Sequence, residues 1–214
     1  MRYTCNIVRR QWLSAKTFEL FLPKPKGFEH VAGQRLVVRM DGIEREYSIA
    51  SAPAEPDLRL CIRRFENGRL SVLLASCAIG TSLQISGATG YFVYQSSTRQ
   101  AVFVGTGTGI APFRAMAASG ISGFVLLHGV RETAELHYRE RMVAAAARYA
   151  ACISGDYTMG RGCFRGRVTA YLQSQLRPGD YDFYLCGNGQ MIRDVTLLVD
   201  EWFAGSRVFS ERFN

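Results

Sequence analysis

Lysine is scarce in this sequence and occurs only at Lys16, Lys24 and Lys26, so the net charge of +8 comes almost entirely from arginine. Such a charge is compatible with nucleic acid, an acidic membrane or an acidic protein as partner. The arginines form no basic run, and no aromatic-basic motif of a nucleic-acid-binding module accompanies them. We therefore expect no nucleic acid binding and favour an acidic protein partner.

Long apolar runs are also missing. Residues 101–104 and 124–127 are the most apolar stretches, and each is far too short to cross a bilayer. Residues 2–10 alternate polar and apolar side chains and lack the continuous apolar core of a secretory signal. We expect no membrane span, a cytoplasmic location, and a strand over residues 2–10.

Metal-binding patterns are absent as well. No two of the six cysteines have C-x-x-C spacing, which argues against zinc and iron–sulfur ligation and favours buried free thiols. His30, His128 and His137 are not grouped as metal ligands or as a hydrolase triad, and we assign them no catalytic role. The sequence predicts no metal site.

The pattern of short apolar segments changes near residue 97. Before this point, alternating or apolar runs separated by Gly, Pro and Asp predict strands at 17–22, 35–40, 45–50, 58–64 and 82–86, and one helix at about 69–76. Short strands at this spacing indicate an antiparallel β-barrel or sandwich. We predict a β-barrel domain over residues 1–97.

After residue 97, strands and helices alternate. Predicted strands at 101–104, 124–127, 151–154 and 183–186 are followed by predicted helices at 111–118, 134–149, 168–173 and 191–203. This alternation is typical of a parallel sheet covered by helices on both faces. We predict a second, α/β domain over residues 98–214.

A glycine-rich turn, G-T-G-T-G-I-A-P-F, occupies residues 105–113 between a predicted buried strand and a helix that has Pro112 in its first turn. Glycines allow close approach of a pyrophosphate, and the helix N-terminus offers free N–H groups and a positive dipole end. The pattern indicates phosphate binding. The alternative is a tight turn that needs glycine only for positive φ. The spacing is not G-x-G-x-x-G, and there is no P-loop lysine.

Four further motifs accompany this turn. They are R-E-Y-S at 45–48, G-R-L-S at 68–71, Y-L-C-G-N at 184–188 and E-R-F at 211–213. In order and spacing, the five elements resemble the ferredoxin–NADP reductase family over essentially the whole chain. The resemblance implies a flavin-dependent NAD(P)H oxidoreductase with an N-terminal FAD-binding barrel and a C-terminal nicotinamide-nucleotide domain.

The resemblance implies a set of flavin contacts. Arg45 would pair with the pyrophosphate, Tyr47 would pack against the isoalloxazine, and Ser48 would bond near its N5. A second phosphate element, at Gly68 and Ser71, implies FAD and not FMN. Considered one at a time, the residues have simpler explanations: Arg45 as an exposed side chain, Tyr47 in a cross-strand pair, and Gly68 with Ser71 as a helix cap. The full set is Arg45, Tyr47, Ser48, Cys61, Arg63, Gly68, Ser71 and Phe213.

Three residues are assigned to catalysis by the same resemblance: Ser48, Cys186 and Glu211. Glu211 would relay a proton beside the flavin, and Cys186 would line the nicotinamide pocket without a covalent role. Phe213 would cover the flavin until the nicotinamide displaces it. Alternatively, Glu211 is only a surface residue and Phe213 only a packing residue of the terminal strand, and Cys186 is an inert buried thiol.

For the nucleotide, the choice between NADPH and NADH depends on how the 2′-phosphate is bound. NADPH-using relatives have S-R-E where this chain has Ser154, Gly155 and Asp156. Asp156 would hold a ribose hydroxyl and favour NADH. Arginines near this edge, including Arg161 and Arg165, favour NADPH slightly. The residues assigned to the nucleotide are Gly105, Thr106, Gly107, Thr108, Gly109, Pro112, Arg131, Ser154, Arg167, Cys186 and Gly187.

Three functions remain open. The leading one is electron exchange between NAD(P)H and a one-electron carrier such as ferredoxin or flavodoxin on another polypeptide. The second is reduction of free flavin, ferric chelates or another small acceptor. The third is an electron-transfer subunit of a larger oxygenase or dehydrogenase complex. They differ in their electron acceptor, and the basic charge favours an acidic carrier.

Overall fold

The computed structural model describes residues 1–155 and 162–213. Its first part forms two antiparallel sheets, with strand orders β1-β7-β4-β5 and β2-β3-β6, linked by a bridge between Ile49 and Leu60. The elements are β1 (Arg2–Asn6), β2 (Arg9–Trp12), β3 (Thr17–Pro23), β4 (Arg35–Met40), β5 (Ile43–Ser48), β6 (Asp57–Arg63), α1 (Arg69–Ser76) and β7 (Ser82–Ser86).

The single strand predicted over residues 2–10 is wrong, because this segment forms two strands in different sheets. Ile7 lies at the crossing, is fully buried, and donates its N–H to the carbonyl of Thr81. The N–H of Val8 donates to Phe21 of the second sheet. Burial alternates up to Ile7 and is lost at the crossing, where Val8 and Arg9 are both exposed.

Strands β3 and β6 bury both of their faces. Leu20 and Leu60 are register partners in the apolar core between the two sheets. On the opposite face, Glu19 and Cys61 are also register partners and are buried as well. This second face lies against the C-terminal half of the chain, because Tyr138 donates a hydrogen bond to Glu19 over 2.8 Å.

The second part contains a six-stranded parallel sheet with strand order β11-β10-β9-β8-β12-β13. Short 3₁₀ turns lie at Gly107–Ile110 and Thr133–Glu135. The elements are β8 (Gln100–Thr106), α2 (Ala111–Ala118), β9 (Val125–Val130), α3 (Arg139–Ala145), β10 (Arg148–Ile153), β11 (Cys163–Arg165), α4 (Val168–Gln175), β12 (Tyr181–Asn188), α5 (Gly189–Trp202) and β13 (Arg207–Phe213).

Helices cover both faces of this sheet, as the alternation of elements predicts. Val102 and Val104 of β8 share a core with Val195 of α5. Phe103, between them, points to the other face and stacks on Phe113 of α2 with ring centroids 4.7 Å apart. The predicted fold class, an antiparallel β domain followed by an α/β domain with a parallel sheet, is confirmed.

The region between β9 and β10 differs from the prediction. The helix expected over residues 134–149 is limited to α3: Tyr138, with φ +59°, prevents it from beginning earlier, and β10 already begins at Arg148. The short strand β11 was not predicted, since three residues are too few to show a period.

None of the helices described is both long and apolar enough to cross a membrane. All six cysteines are free thiols; Cys77 and Cys163 are half-buried, and the other four are buried. In residues 1–155 and 162–213, no three His, Cys, Asp or Glu side chains are grouped to hold a metal ion.

Candidate active site

Ser48 and Glu211 form the centre of the candidate site. The hydroxyl of Ser48 donates to Oε1 of Glu211 over 2.5 Å, and Nη1 of Arg35 donates to Oε2 over 3.1 Å. Ser48 is 3% exposed and Glu211 is 5% exposed, so the carboxylate has little contact with water. The serine and the arginine together satisfy both of its oxygens.

Strand register brings these residues together. Arg35 and Ser48 are partners across the antiparallel pair β4 and β5, at the end where β5 stops. Glu211 lies on β13 and is the register partner of Cys186 on β12. The ends of two different sheets therefore meet at one carboxylate, which joins the R-E-Y-S motif to the terminal E-R-F motif.

Cys186 is fully buried beside this carboxylate. Burial, and secondarily the charge of Glu211, raise the pKa of its thiol well above the usual value. The thiol therefore stays protonated near neutral pH and is a poor nucleophile. Its burial beside the Glu211 strand fits a packing role.

The glycine-rich turn lies directly against the end of β12. A side chain at Gly109 would overlap the backbone of Cys186 and Gly187, and one at Gly187 would overlap Thr106. Gly187 also has φ +125°. The hydroxyl of Thr106 accepts a hydrogen bond from the N–H of Asn188 over 3.0 Å. This close approach requires glycine at 109 and 187 and fixes the turn beside Cys186.

The turn leads into a helix, and the first N–H groups of a helix lack partners at i−4. The 3₁₀ turn begins after Thr106 and α2 begins after Ile110, and in the described chain neither start is capped by a side chain. Pro112 lies in the first turn of α2 and removes a donor that would lack a helical partner. Gly107 has φ +54°, and open space lies where its side chain would be. A phosphate fits here on backbone N–H groups.

The flavin-motif strand exposes a cation next to a tyrosine. Arg45 is exposed, and Nη1 donates to its neighbour's carbonyl at Glu44 over 2.7 Å. Tyr47 is half-buried against the first core. Burial raises its pKa to about 12, partly offset by Arg45, so its hydroxyl stays neutral. An exposed guanidinium at this edge is suited to a phosphate.

The second phosphate element is the start of α1. Gly68 precedes the helix, which has no side-chain cap among the described residues. A side chain at Gly68 would overlap Oγ of Ser71. That hydroxyl is buried and accepts from the N–H of Phe65 over 3.4 Å. The free N–H groups of this helix, more than the serine itself, are available to a diphosphate.

Cys61 and Arg63 follow each other along one face of β6 and lie against the C-terminal half. Arg63 donates to Oε1 of Glu135 over 2.6 Å. Cys61 is buried in a small cluster with Ala111 and Tyr138, and burial raises the pKa of its thiol to about 12. Arg63 also lies on the strand that contacts the glycine-rich turn.

The residues proposed to bind the 2′-phosphate lie at the carboxyl edge of the parallel sheet. Arg131 and Ser154 follow β9 and β10, and Gly155 donates its N–H to the carbonyl of Arg131 over 3.0 Å. Arg167 is exposed and precedes α4, which has no side-chain cap within the described residues. Asp156 and Arg161 lie outside the described residues.

Phe213 is half-buried and packs against the cluster that contains Cys186, Phe103 and Tyr184. It is the register partner of Asn188, at the end of β12. The terminal aromatic ring and the nicotinamide motif therefore share one edge of the sheet.

Arg35 and Glu135 are site residues that no sequence motif marks. Arg35 is separated from Glu211 by 176 positions in the chain, and the pair is visible only once the two sheets are joined. Glu135 is buried and pairs with Arg63 across 72 positions. A charged residue at the start of an alternating strand is the one weak signal that Arg35 offers.

The histidines near the turn are neutral. Burial lowers the pKa of His128 to about 3, and Nδ1 lies 3.0 Å from the hydroxyl of Tyr149. Burial lowers the pKa of His137 to about 4, against the opposing effect of Glu135. Neither imidazole carries a charge near neutral pH that would pair with a phosphate.

Residues 5–94 match the family described as oxidoreductase FAD-binding domain, and residues 103–196 match the oxidoreductase NAD-binding domain. Ferredoxin–NADP reductase B of Sorangium cellulosum is 34% identical over 191 residues, which cover 78% of this chain and 78% of that protein. The flavodoxin/ferredoxin–NADP reductase of Escherichia coli strain K12 is 28% identical over 189 residues, covering 77% and 76%.

The toluate 1,2-dioxygenase electron transfer component of Pseudomonas putida is 31% identical over 179 residues, which cover 77% of this chain. The chain spans about half the length of that relative, 52%. A crystal structure of ferredoxin NADP⁺ reductase from Neisseria gonorrhoeae with bound FAD and NADP has a TM-score of 0.84 at 20% identity, covering 99% of this chain and 98% of that one. At this identity, the likeness concerns the fold.

Proposed function

Because the chain belongs to the ferredoxin–NADP reductase family, we propose that it carries electrons from NAD(P)H through FAD to an acidic one-electron carrier protein, a ferredoxin or flavodoxin. The chain is an oxidoreductase with FAD-binding and NAD(P)-binding domains. We assign residues 1–97 to the flavin half and residues 98–214 to the nucleotide half.

The observation that carries the proposal is the hydrogen bond between Ser48 and Glu211, beside Cys186 and the glycine-rich turn. It connects the strand assigned to the flavin with the edge assigned to the nicotinamide. A bound flavin accepts a hydride and releases its electrons singly. Ser48 would hold the proton at its Oγ, and Glu211 would accept it at Oε1.

Other residues would bind the cofactors. Arg45 and the free N–H groups at the start of α1 supply two phosphate contacts, as the diphosphate of FAD requires. The uncapped turn at Gly107–Ile110 would hold the nucleotide pyrophosphate. Arg131 and Arg167, at the same edge of the sheet, would favour NADPH through its 2′-phosphate.

An anaerobic titration of the purified protein tests this proposal. We expect NADPH, and less readily NADH, to bleach the flavin absorbance, and a [2Fe–2S] ferredoxin to restore it while becoming reduced. A flavin that nucleotide does not bleach contradicts the proposal. A bleached flavin that reduces free FMN or ferric citrate but no ferredoxin or flavodoxin supports a small-molecule acceptor instead.

A second candidate is an electron-transfer component of an oxygenase system, favoured by the similarity to the toluate 1,2-dioxygenase component. The first candidate predicts that the isolated chain reduces a free ferredoxin in steady-state turnover, whereas the second does not require this. Reduction of ferredoxin by the isolated chain, measured as a function of ferredoxin concentration, distinguishes them.

A further inference from the structure

An open cleft lies beside the Glu211 carboxylate. It has a volume of about 620 Å³, and its lining includes Gln34, Arg35, Tyr91, Ser210 and Glu211. Tyr91 is 97% exposed, which leaves the cleft open on that side. Ser48 is not among the residues that line the cleft, and it bonds Oε1 of Glu211. Glu211 therefore separates the cleft from Ser48.

Arg35 lies in the wall of this cleft and contacts two carboxylates. Nη1 bonds Oε2 of Glu211 at 3.1 Å, and Nε lies 3.0 Å from Oε1 of Glu46. The Glu46 side chain is 55% exposed, whereas that of Glu211 is 4% exposed. The arginine thus connects a buried carboxylate with a solvated one. Gly90 lies beside this arginine; its φ of +103° favours glycine, and a Cβ there would be in ordinary van der Waals contact with Nη1, at 3.4 Å.

The charged and titratable groups that face Glu211 come from three strands. Among the residues that the structure describes, they are Arg35 of β4, Glu46 of β5 and the Cys186 thiol of β12. Glu46 contacts Arg35 and not Glu211 itself. Arg35 is the single cation in this set. Its Nη1 lies 3.1 Å from Oε2 of Glu211 and attracts that carboxylate electrostatically.

The proposed function requires such an acceptor. Each hydride from NAD(P)H brings two electrons and one proton, and two one-electron acceptors remove only the electrons. One proton per nucleotide must therefore leave the site for solvent. The net change is one NAD(P)H and two oxidised acceptors to one NAD(P)⁺, two reduced acceptors and one proton.

Resting on that function, we propose that Arg35 is a positioning residue that holds the Glu211 carboxylate against Ser48, and that the cleft behind it is the route by which the proton reaches solvent. Arg35 itself does not transfer the proton, because a guanidinium keeps all its protons near neutral pH. It sets the position of the carboxylate that does.

The first test compares Arg35→Gln and Arg35→Lys holoenzymes with Arg39→Gln. The control removes an arginine of the same strand that pairs with Glu44 and not with Glu211. With NADPH and ferricyanide, we expect the acid limb of the kcat profile of Arg35→Gln to move to higher pH by about one unit. We expect KM for NADPH to stay within about twofold. Arg35→Lys should restore part of the shift, and Arg39→Gln should match wild type.

Flavin affinity, measured by fluorescence titration, supplies a readout apart from turnover. A dissociation constant for FAD within about threefold of wild type in Arg35→Gln supports positioning, whereas loss of flavin shows that Arg35 is a cofactor ligand and overturns the inference. An unchanged pH profile overturns it too. Absence of wild-type turnover would refute the proposed function itself, so this is measured first.

The second test is chemical rescue through the cleft. In Glu211→Ala, formate should take the place of the missing carboxylate beside Arg35 and raise turnover by about tenfold or more, while chloride at equal ionic strength should not. The double variant Arg35→Gln/Glu211→Ala should lose this rescue. No rescue in the single variant, or equal rescue in both, would show that the cleft and Arg35 do not serve the carboxylate.

Discussion

Ser48 and Glu211 are 163 positions apart in the chain, and a 2.5 Å hydrogen bond joins their buried side chains. One belongs to an antiparallel strand and the other to the last parallel strand. A short bond between a hydroxyl and a carboxylate is a charge-assisted bond, which is stronger than a neutral one. This bond is one of the contacts through which the two halves of the molecule meet.

The cofactor itself is the first prediction. We expect the purified protein to be yellow and to release FAD, not FMN, on denaturation, because Arg45 and the free start of α1 offer two separate phosphate contacts. Mass spectrometry of the released cofactor checks this. FMN in the supernatant would contradict it.

Arg45→Ala should weaken flavin retention by about 1.5–3 kcal/mol, since it removes a charge-assisted contact to phosphate. Ser48→Ala should retain flavin and mainly slow turnover. Arg39→Ala, on the neighbouring strand β4, is the matched control for lost surface charge. Flavin dissociation constants of the three variants are compared, and equal values for Arg45→Ala and Arg39→Ala would remove Arg45 from the phosphate site.

Phe213→Ala should bind oxidised nicotinamide nucleotide more tightly, by about 0.5–1.5 kcal/mol. A ring that covers the flavin only in the resting state stabilises the ground state and competes with the nicotinamide. Equilibrium titration with NADP⁺ measures the change, and Phe209→Leu, in the same strand, is a packing control. Weaker binding in Phe213→Ala would show that the ring only closes the terminal strand.

Glu211→Ala and Ser48→Ala should each lower turnover and alter its pH dependence, with little change in nucleotide affinity. Since both are proposed to act on the same proton, their combined loss should be smaller than the sum of the single losses. Turnover with ferricyanide across pH in the two single variants and the double variant measures this coupling. Additive losses would indicate that the two groups act independently.

Arg114 and Glu55 should stabilise the contact between the two halves in a pH-dependent way. Nη2 of Arg114 donates to Oε1 of Glu55 over 2.8 Å, and Arg114 is 2% exposed. Burial alone would raise the pKa of Glu55, but bonds from Arg114 and the Ala52 N–H lower it overall. The stabilisation is complete above the unfolded pKa of about 4.3 and is lost as pH falls through the lowered folded pKa.

Glu55→Gln should therefore lower the free energy of unfolding by about 2–3 kcal/mol at pH 7, less than for a fully buried pair because Glu55 remains partly exposed. The difference from wild type should shrink in acid. Urea unfolding at pH 7 and pH 3 measures both, and Glu132→Gln, on the surface, is the control. An equal difference at both pH values would contradict the ionic origin.

Much of the fold follows from local pattern. The turn at Gly105 to Pro112 was predicted with its strand before and its helix after, because glycine spacing and proline position are local signals. The helix over residues 134–149 was overpredicted: Tyr138 has a left-handed backbone, and its hydroxyl bonds Glu19 in the other half of the molecule. Propensity does not report such a tertiary contact.

The candidate site was predictable where motifs exist. Ser48, Cys186 and Glu211 were named from the family resemblance, and the structure brings these three together, while their catalytic roles remain predictions. Arg35 was not named, because its partner lies in the other sheet and no local rule specifies that contact. Long-range pairs of this kind follow from register and domain packing, which the sequence does not display.

The buried polar face of β3 and β6 limits how the chain can be divided. Glu19 is satisfied by Tyr138, and Arg63 by Glu135, each across the boundary between the halves. If the chain were cut between residues 97 and 98, the N-terminal fragment would expose this face without the residues that bond Glu19 and Arg63. A chimera in which one half comes from a homologue must therefore also contain matching partners for Glu19 and Arg63. For this reason the two halves are best exchanged together.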